Sequence, residues 1–208
     1  MPSSAESKSL FGLDGQHNGT LTLANPNSTT GSAAGTITHS ARGTAFHQTR
    51  IDISGTLNLA AINGSSNGVT GVLELFKFPP GLLLLSGAVG SLTLTAAGAN
   101  STQVAATAAA VVALGTSPAS ATTLTGTCSN MIQSTAFTFA ASTKSGTLIN
   151  SGSANFIDNT VVNNGGTTSY ACLNVAIPGT SATGGTNVNL TVIGWIDFTW
   201  ANISFNEL

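Results

Sequence analysis

Charge is the property that this chain has least of. Its 208 residues include five Lys and Arg and seven Asp and Glu, so 6% are charged, against about 25% in ordinary soluble domains. The net charge of −2 and the few basic residues exclude the electrostatic footprint of a nucleic-acid-binding protein and a basic helix on a membrane surface. Disordered chains are usually charged and poor in aliphatic residues, whereas hydrophobic residues make up 41% of this chain. Most of it is therefore expected to fold.

The shortage of charge is most pronounced in one span, because no Asp, Glu, Lys or Arg occurs between Phe78 and Thr143. Surface charge normally keeps a free monomer soluble. One explanation, which we favour, is that another subunit covers much of this span. The alternative is a surface that its Ser, Thr and Asn side chains keep hydrated.

Long apolar runs are also lacking. The longest aliphatic run, residues 81–89, is far shorter than the roughly 20 residues that a membrane-spanning helix needs. The first residues, MPSSAESKSLFG, lack the hydrophobic centre of a signal peptide. We therefore expect neither a membrane partner nor a secretory leader.

Cysteine and histidine are equally scarce. Cys128 and Cys172 have no CxxC spacing and no nearby histidine, which favours free thiols, with a disulfide between them as the open alternative. The three histidines, His17, His39 and His47, lack the spacing and the accompanying carboxylates of a metal site. We expect them to be hydrogen-bonded polar residues, and we predict no metal and no cofactor.

Catalytic motifs are missing as well. The chain has no GxSxG, HExxH, Walker or kinase motif, and all its histidines precede residue 49, which argues against a Ser-His-acid site. No local pattern pairs its seven carboxylates, although a glycosidase needs two of them at roughly 5–10 Å across the sugar. We predict no catalytic residue and no enzyme, with a glycan-processing enzyme as the alternative. The carboxylates are Glu6, Asp14, Asp52, Glu74, Asp158, Asp197 and Glu207.

The pattern that is present is one of strands separated by Gly and Asn turns. Alternation of apolar and polar residues predicts half-buried strands, and a proline pair at Pro79 and Pro80 breaks the chain between two of them. Residues 104–114, rich in Ala and Val, fit a helix or a closely packed strand. The predicted strands are 51–59, 72–78, 91–95, 136–140, 147–149 and 155–157, with a tight turn at 163–166.

Side-chain parity along two of these strands predicts which residues share a face. Leu73 and Leu75 are expected on one side of their strand, with Glu74, Phe76 and Phe78 on the other. For Glu74 and Lys77, a cross-strand ion pair or a rim position is expected rather than catalysis. On the predicted strand 136–140, Phe137 and Phe139 are expected to face the same side.

The stretch 168–203 is the one around which the chain is organised, because it holds both tryptophans and the only tyrosine. It predicts two long strands, 169–177 and 187–199, joined by a Gly/Ser/Thr loop. On the second strand one apolar face is expected in the core, and Ile193 and Trp195 on the other face are expected to meet a partner. For Asp197 we expect a polar partner and no catalytic role. The core face comprises Leu190, Val192, Ile196, Phe198 and Trp200.

These patterns predict an all-β fold, an antiparallel β-sandwich or jelly-roll-like body with an extended N-terminal arm. The arm, residues 1–48, is rich in Ser, Thr, Gly and Asn and is expected to contain one or two short strands. The body comprises residues 49–208. No internal repeat supports a β-helix or a propeller.

Three segments together resemble a group of small virion structural proteins of tailed bacteriophages. Members tend to show a Phe-Pro-x-Gly turn before a β segment, an x-Leu-Gly-Thr element and a closing Gly-x-Ile-x-x-x-Trp strand. The resemblance covers residues 71–203 and leaves the arm unassigned. The segments are FPPGLLLLSGAVGSLTLTAAG (78–98), VALGTSPASATTLTGTCSNMIQSTA (112–136) and YACLNVAIPGTSATGGTNVNLTVIGWIDFTW (170–200).

The resemblance implies a capsid decoration (cement) protein on the capsid surface of a virion, often a homotrimer, whose partner is the major capsid protein. Such a protein has no active site and works by burying surface across the seams between capsid subunits. The alternative is a tail-associated or head-fibre protein that binds a host surface. An adhesin of that kind is expected to expose aromatic platforms on loops, whereas both tryptophans here lie in a strand pattern.

Overall fold

The computed structural model describes ten segments of the chain: residues 16–23, 33–42, 46–61, 68–96, 104, 108–140, 145–150, 160–163, 169–179 and 188–203. Side chains are described for residues 47–60, 68–96, 104, 108–140, 169–179 and 188–203. Every statement below concerns these residues.

Strands account for most of the described chain, and no α-helix occurs in it. A 3₁₀ turn at Gly126–Cys128 interrupts the one long described loop. The all-β prediction is confirmed. The strands are β1 (Gln16–Leu23), β2 (Ala33–Arg42), β3 (Phe46–Ala61), β4 (Gly68–Lys77), β5 (Leu82–Ala96), β6 (Ala109–Gly115), β7 (Ile132–Thr138), β8 (Ser145–Asn150), β9 (Thr160–Asn163), β10 (Tyr170–Pro178) and β11 (Val188–Asn202).

All pairings between these strands are antiparallel. Their order in the sheet is β7-β6-β10-β4-β3-β11-β5-β8, with β2 on β3, β1 on β2 and β9 on β5. Side chains of seven strands, β3, β4, β5, β6, β7, β10 and β11, meet in one hydrophobic cluster. The sheet therefore wraps around a single core and is nearly barrel-shaped, which is compatible with a jelly roll.

Strand β11 lies at the centre of the sheet, between β3 and β5. Its core face is the one that alternation predicted, and the buried residues include Phe198 and Trp200, at 1% and 2% exposure. Each fully buried side chain of this kind contributes about 1.5–3 kcal/mol relative to leaving it exposed. Burial of this face therefore fixes the register of β11, because a shift by one residue would turn all of it outward.

An aromatic group closes one end of the core. The indole of Trp200 stacks on the ring of His47 at 4.3 Å between centroids, and its Nε1 donates a hydrogen bond to Oγ1 of Thr49 at 3.1 Å. Phe76 and Phe78 pack against the same indole at 5.7 and 5.8 Å. The hydrogen bond satisfies the indole N–H in an otherwise apolar environment, as burial of a Trp requires.

The parity predicted for β4 is wrong at its end. Leu73 and Leu75 are buried as expected, but Phe78 is buried with them and Phe76 also packs on the core. The cause is a β-bulge: Cys172 pairs with Glu74 and Ala171 with Phe76, which leaves Leu75 as the extra residue. A bulge reverses the alternation beyond it, so both phenylalanines turn inward.

A glycine lets β11 and β5 approach each other closely. Gly194 has φ +152°, and a Cβ there would collide with the backbone oxygen of Ser91. The pair Gly194 and Leu92 lies in register between the two strands. Glycine in the interior of a strand often marks such a close approach or a bend in a barrel, and here it lets the sheet curve around its core.

Several other predictions of strands are confirmed, with differences at the ends. Residues 109–115 form a strand, which resolves the choice left open for 104–114. Strand β5 contains the predicted strand 91–95 and begins earlier, at Leu82. Phe137 and Phe139 both lie in the core, with ring centroids 5.0 Å apart. Strand β9 was not predicted. The predicted strand 155–157 and most of the predicted turn at 163–166 lie outside the described residues.

The range of the predicted arm contains two described strands, β1 and β2. Strand β2 pairs with β3 from Ala33 opposite Gly55 to Arg42 opposite Phe46, so this part of the range continues the sheet. Strand β3 begins at Phe46. The division of the chain at residue 48 stays a prediction.

Candidate interaction surface

The outward side of β3, β11 and β5 forms one surface, which we call the β11 outer face. It is built from rows of residues in register across the three strands. Polar and small side chains dominate these rows, with two large apolar residues on β11. The rows, written β3–β11–β5, are Thr56–Thr191–Thr95, Ser54–Ile193–Thr93, Asp52–Trp195–Ser91 and Arg50–Asp197–Val89.

Ile193 and Trp195 form the apolar centre of this face. They lie two positions apart on β11, so both point away from the core. Ile193 is 55% exposed, and no other large hydrophobic residue in the described part of the chain is classed as exposed. Trp195 is half-buried. The prediction that these two residues lie opposite the core face is confirmed, and any partner of theirs stays a prediction.

Charged and amide side chains of β3 and β11 lie beside the apolar centre. Arg50 donates from Nη2 to Oδ1 of Asp52 at 3.1 Å, and its guanidinium lies 4.4 Å from the centre of the Trp195 ring. Beside them, Nε2 of Gln48 donates to Oδ2 of Asp197 at 2.8 Å. The polar partner expected for Asp197 is thus Gln48.

Two carboxylates occupy this face at diagonal positions of neighbouring strands. Asp52 is opposite Trp195, and Asp197 is opposite Arg50. Diagonal neighbours in an antiparallel pair are about 7–8 Å apart, within the separation that the glycan-processing alternative requires. Both carboxylates hold protein partners on an open sheet surface. This arrangement suits recognition through hydrogen bonds better than the enclosed acid and base of a hydrolase.

A second outward region covers the other side of the barrel. The loop 116–131, which we call the covering loop, folds over β6 and β10 and buries the outward side of both strands. Small apolar residues fill the space beneath it, and Gly115 is required there because a Cβ would collide with the backbone of Cys128. The small cluster comprises Ala113, Ala119, Leu124 and Ala176, with Val111 and Cys128 packed against it.

Asn174 of β10 fastens the covering loop to the sheet. Its side chain is fully buried. Its Nδ2 donates to the backbone oxygens of Ser117 at 3.1 Å and Cys128 at 2.9 Å. Its Oδ1 accepts from the backbone N–H of Ala119 at 2.8 Å. One amide therefore hydrogen-bonds backbone groups at both ends of the loop, which makes the loop a fixed part of the surface.

Both cysteines are free thiols, as the sequence favoured. Cys172 is buried beneath the covering loop, and burial, followed by the charges of Glu74 and Cys128, raises its pKa to about 12. Cys172 is therefore protonated and unreactive at neutral pH. Burial also raises the pKa of Glu74, its register partner. Lys77 lies exposed at the end of β4, opposite Tyr170, in the rim position considered above.

The three histidines lie on three neighbouring strands, β1, β2 and β3. His17 and His39 are opposite each other in the register of β1 and β2. His47 is buried against Trp200, and burial lowers its pKa from 6.5. Among the described residues no group of three or more His, Cys, Asp or Glu is arranged to hold a metal ion.

The interior of the described part contains a cavity of about 20 Å³, lined by core residues such as Leu92, Val112 and Ile196. This volume is close to that of a single water molecule, and its lining is apolar. The cavity is a packing gap between strands. It offers no space for a substrate.

Comparisons with known proteins give no relative. No protein-family model matches the chain, and neither a curated protein nor a solved structure matches it. In the described residues, no helix has the length and apolar character to cross a membrane.

Proposed function

We propose that this chain is a non-enzymatic structural protein of a tailed-phage virion, a capsid decoration protein that binds the major capsid protein as a homotrimer. In this role it lies on the capsid surface and spans the seams between capsid subunits. The virion setting comes from the resemblance of the three sequence segments. The physical support comes from the surface of the barrel.

The observation that carries the proposal is the surface of residues 108–140. This surface comprises β6, β7 and the covering loop, and no charged residue occurs in it. Its exposed side chains are small or neutral. They are Ala109, Pro118, Ser120, Ala121, Thr123, Thr125, Gly126, Thr127, Gln133, Ser134, Ala136, Thr138 and Ala140.

Burying such a surface against another subunit costs little free energy. An ion taken out of water costs several kcal/mol unless it is well paired, and the described residues 108–140 have no ion to bury. Small side chains lose little rotamer entropy on contact. Because Asn174 already holds the covering loop, association also orders little additional chain.

These properties support self-association through residues 108–140, with the trimer as the expected state. A cement protein stabilises the shell by mass action, because it binds the assembled capsid and not the separated subunits. Its work requires a rigid β body with two kinds of surface, one for its own copies and one for the capsid.

A second candidate function is binding to a host surface, and one observation favours it. Trp195 lies outside the core and is flanked by Asp52, Asp197 and Gln48. Aromatic rings beside planar polar side chains are suited to sugars. Binding of the isolated protein to host-cell glycans, and no binding to heads, would select this candidate.

The test of the first candidate uses the purified full chain. Sedimentation at micromolar concentration is expected to give a trimer, and Thr138→Glu, which places a charge on the exposed side of β7, is expected to dissociate it. A stable monomer under the same conditions counts against the proposal. Mixed with undecorated heads, the wild-type protein is expected to co-sediment with them in a saturable manner.

A further inference from the structure

The two free thiols belong to neighbouring residues, one on β10 and one in the covering loop. Cys172 is opposite Gly115 in the register of β10 and β6, and register partners in an antiparallel pair have Cα atoms about 4.5–5.5 Å apart. Cys128 lies directly over Gly115, because a Cβ added there would collide with its backbone carbonyl group. The residue beside both cysteines is thus a glycine, which has no side chain to hold them apart.

A shared hydrogen-bond donor also limits the distance between them. Nδ2 of Asn174 donates to the backbone oxygen of Cys128 at 2.9 Å and to that of Cys172 at 3.2 Å. Two acceptors of one nitrogen are at most about 6 Å apart at such distances. A disulfide joins residues whose Cα atoms are about 4.4–6.8 Å apart, so the separation of the two backbones is of the size that a disulfide spans.

Both side chains occupy the space beneath the covering loop. Ala171 and Leu173, on either side of Cys172, belong to the hydrophobic core, so Cys172 faces the opposite way, toward the loop. The thiol of Cys128 packs against the small cluster under the loop. It donates a weak hydrogen bond to the backbone oxygen of Pro118 at 3.5 Å, and little is lost when it turns away from this partner.

The surroundings of the two thiols decide which of them meets a reagent first. Burial, followed by the charges of Glu74 and Cys128, raises the pKa of Cys172 to about 12. Cys172 is therefore protonated at neutral pH and shielded from solution, whereas Cys128 is only half-buried. Thiol exchange with a reagent in solution begins at Cys128.

We infer that Cys128 and Cys172 form a redox latch, in which a low-molecular-weight disulfide oxidises the two thiols to one bond that ties the covering loop to β10. This inference goes beyond the proposed function and concerns a single copy of the chain. Reducing compartments keep the thiols free, whereas disulfides persist at virion surfaces. On the proposed capsid, the latch forms after the particle is released.

The oxidation proceeds by two thiol–disulfide exchanges with glutathione disulfide. The Cys128 thiolate attacks one sulfur of the reagent, and the first glutathione leaves as a thiolate that takes up the proton released by Cys128. The Cys172 thiolate attacks the Cys128 sulfur of this mixed disulfide, and the second glutathione leaves in the same way. Two protein thiols are oxidised, and one glutathione disulfide is reduced to two thiols. Proximity favours the second step, although little of Cys172 is thiolate.

The first experiment incubates the native full-length protein with glutathione disulfide and locates the products by intact mass and non-reducing peptide mapping. The wild type is expected to form one bond between Cys128 and Cys172 within a chain. Cys172→Ser is expected to stop with one glutathione on Cys128, and Cys128→Ser is expected to stay unmodified. A wild type that stays unmodified, stops at the mixed disulfide or forms the bond only in urea overturns the inference.

The second experiment measures what the bond does to the covering loop. In the oxidised wild type, amide exchange in the loop is expected to slow at least about ten-fold and the thermal midpoint to rise by at least about 5 °C. Dithiothreitol should reverse both changes. Cys172→Ser treated with glutathione disulfide is the matched control and should show neither. Unchanged exchange in the oxidised wild type overturns the latch.

The outcomes are independent of those for the proposed function. A chain that forms the bond but sediments as a monomer contradicts the trimer and supports the latch. A trimer whose two thiols never join supports the proposed function and overturns the latch.

Discussion

Trp195 and Trp200 lie on the same strand and face opposite sides of the sheet. Trp200 is buried among aromatic rings with its N–H bonded to Thr49, whereas Trp195 lies on the outer face under the guanidinium of Arg50. The core and the candidate contact surface are therefore built from alternate residues of β11. A change on one side of the strand should leave the other side unaffected, and the two tryptophans test this.

For this pair, Trp200→Ala is expected to lower the free energy of unfolding by about 3–5 kcal/mol, because it leaves a cavity in the core. Trp195→Ala, the matched control, is expected to change it by less than about 1 kcal/mol. Urea unfolding of the two variants at one protein concentration measures both. Equal losses would show that the outer indole is as important to folding as the buried one.

Asn174 provides a second prediction. Asn174→Ala removes hydrogen bonds to the backbone of Ser117, Ala119 and Cys128, and the loss of a buried hydrogen-bond partner costs about 1–3 kcal/mol. We expect a loss of this size, about 1–3 kcal/mol, and faster amide exchange in the covering loop. Thr123→Ala, an exposed change in the same loop, should alter neither. Unchanged exchange in Asn174→Ala would contradict the role of Asn174 in fastening the loop.

The third prediction concerns the close approach of β11 to β5. Gly194→Ala combines a rarely allowed backbone angle with a collision against Ser91, so the variant is expected to fold poorly or not at all. Gly126→Ala is the control, because its φ of +63° is also left-handed but nothing lies within 4 Å of the added Cβ. It should cost about 1 kcal/mol. Circular dichroism and thermal unfolding distinguish the two outcomes.

The fourth prediction concerns pH. Burial lowers the pKa of His47, so the folded protein binds this proton less readily than the unfolded chain does. The contribution to stability is complete above the unfolded value of 6.5 and is lost as pH falls below it. We expect the free energy of unfolding to decrease between about pH 7 and about pH 5.5 more steeply in the wild type than in His47→Gln.

Identical pH slopes for wild type and His47→Gln would contradict this assignment. Glu74 acts in the opposite sense, because burial raises its pKa above 4.5. The folded state therefore binds that proton more readily, and Glu74 stabilises the fold as the pH falls toward this value. A Glu74→Gln control separates its contribution from that of His47.

The fifth prediction is a difference in thiol reactivity. Cys172 is buried with its pKa raised to about 12, whereas Cys128 is only half-buried. In Cys128→Ser the remaining thiol is expected to react with a disulfide reagent only after unfolding. In Cys172→Ser, Cys128 should react in the folded protein. Rapid modification of native Cys128→Ser would show that the covering loop opens.

The long closing strand could be predicted from the sequence, because alternation over many residues leaves one consistent assignment. Leu190 to Trp200 follow it without interruption, and Asp197 on the opposite parity has the polar partner expected of it. The assignment of an all-β antiparallel fold rests on the same signal. The same alternation predicted that Ile193 and Trp195 lie opposite the core face.

Other features depend on contacts between distant segments and could not be predicted. The bulge at Leu75 is visible only in the pairing of β4 with β10, and parity counting fails beyond it. Asn174 is a polar residue within an apolar stretch of sequence. That exception to the apolar pattern is the one sequence signal that points to the covering loop. Its partners lie 46 to 57 residues away along the chain, so the sequence did not identify the covering loop.

A three-dimensional map of the intact particle is the strongest test of the proposal that this chain cements a capsid. We expect density for the β body at three-fold or quasi-three-fold sites of the capsid, with residues 108–140 between copies of the chain. Density for the chain only at the tail, with these capsid sites empty, would contradict it.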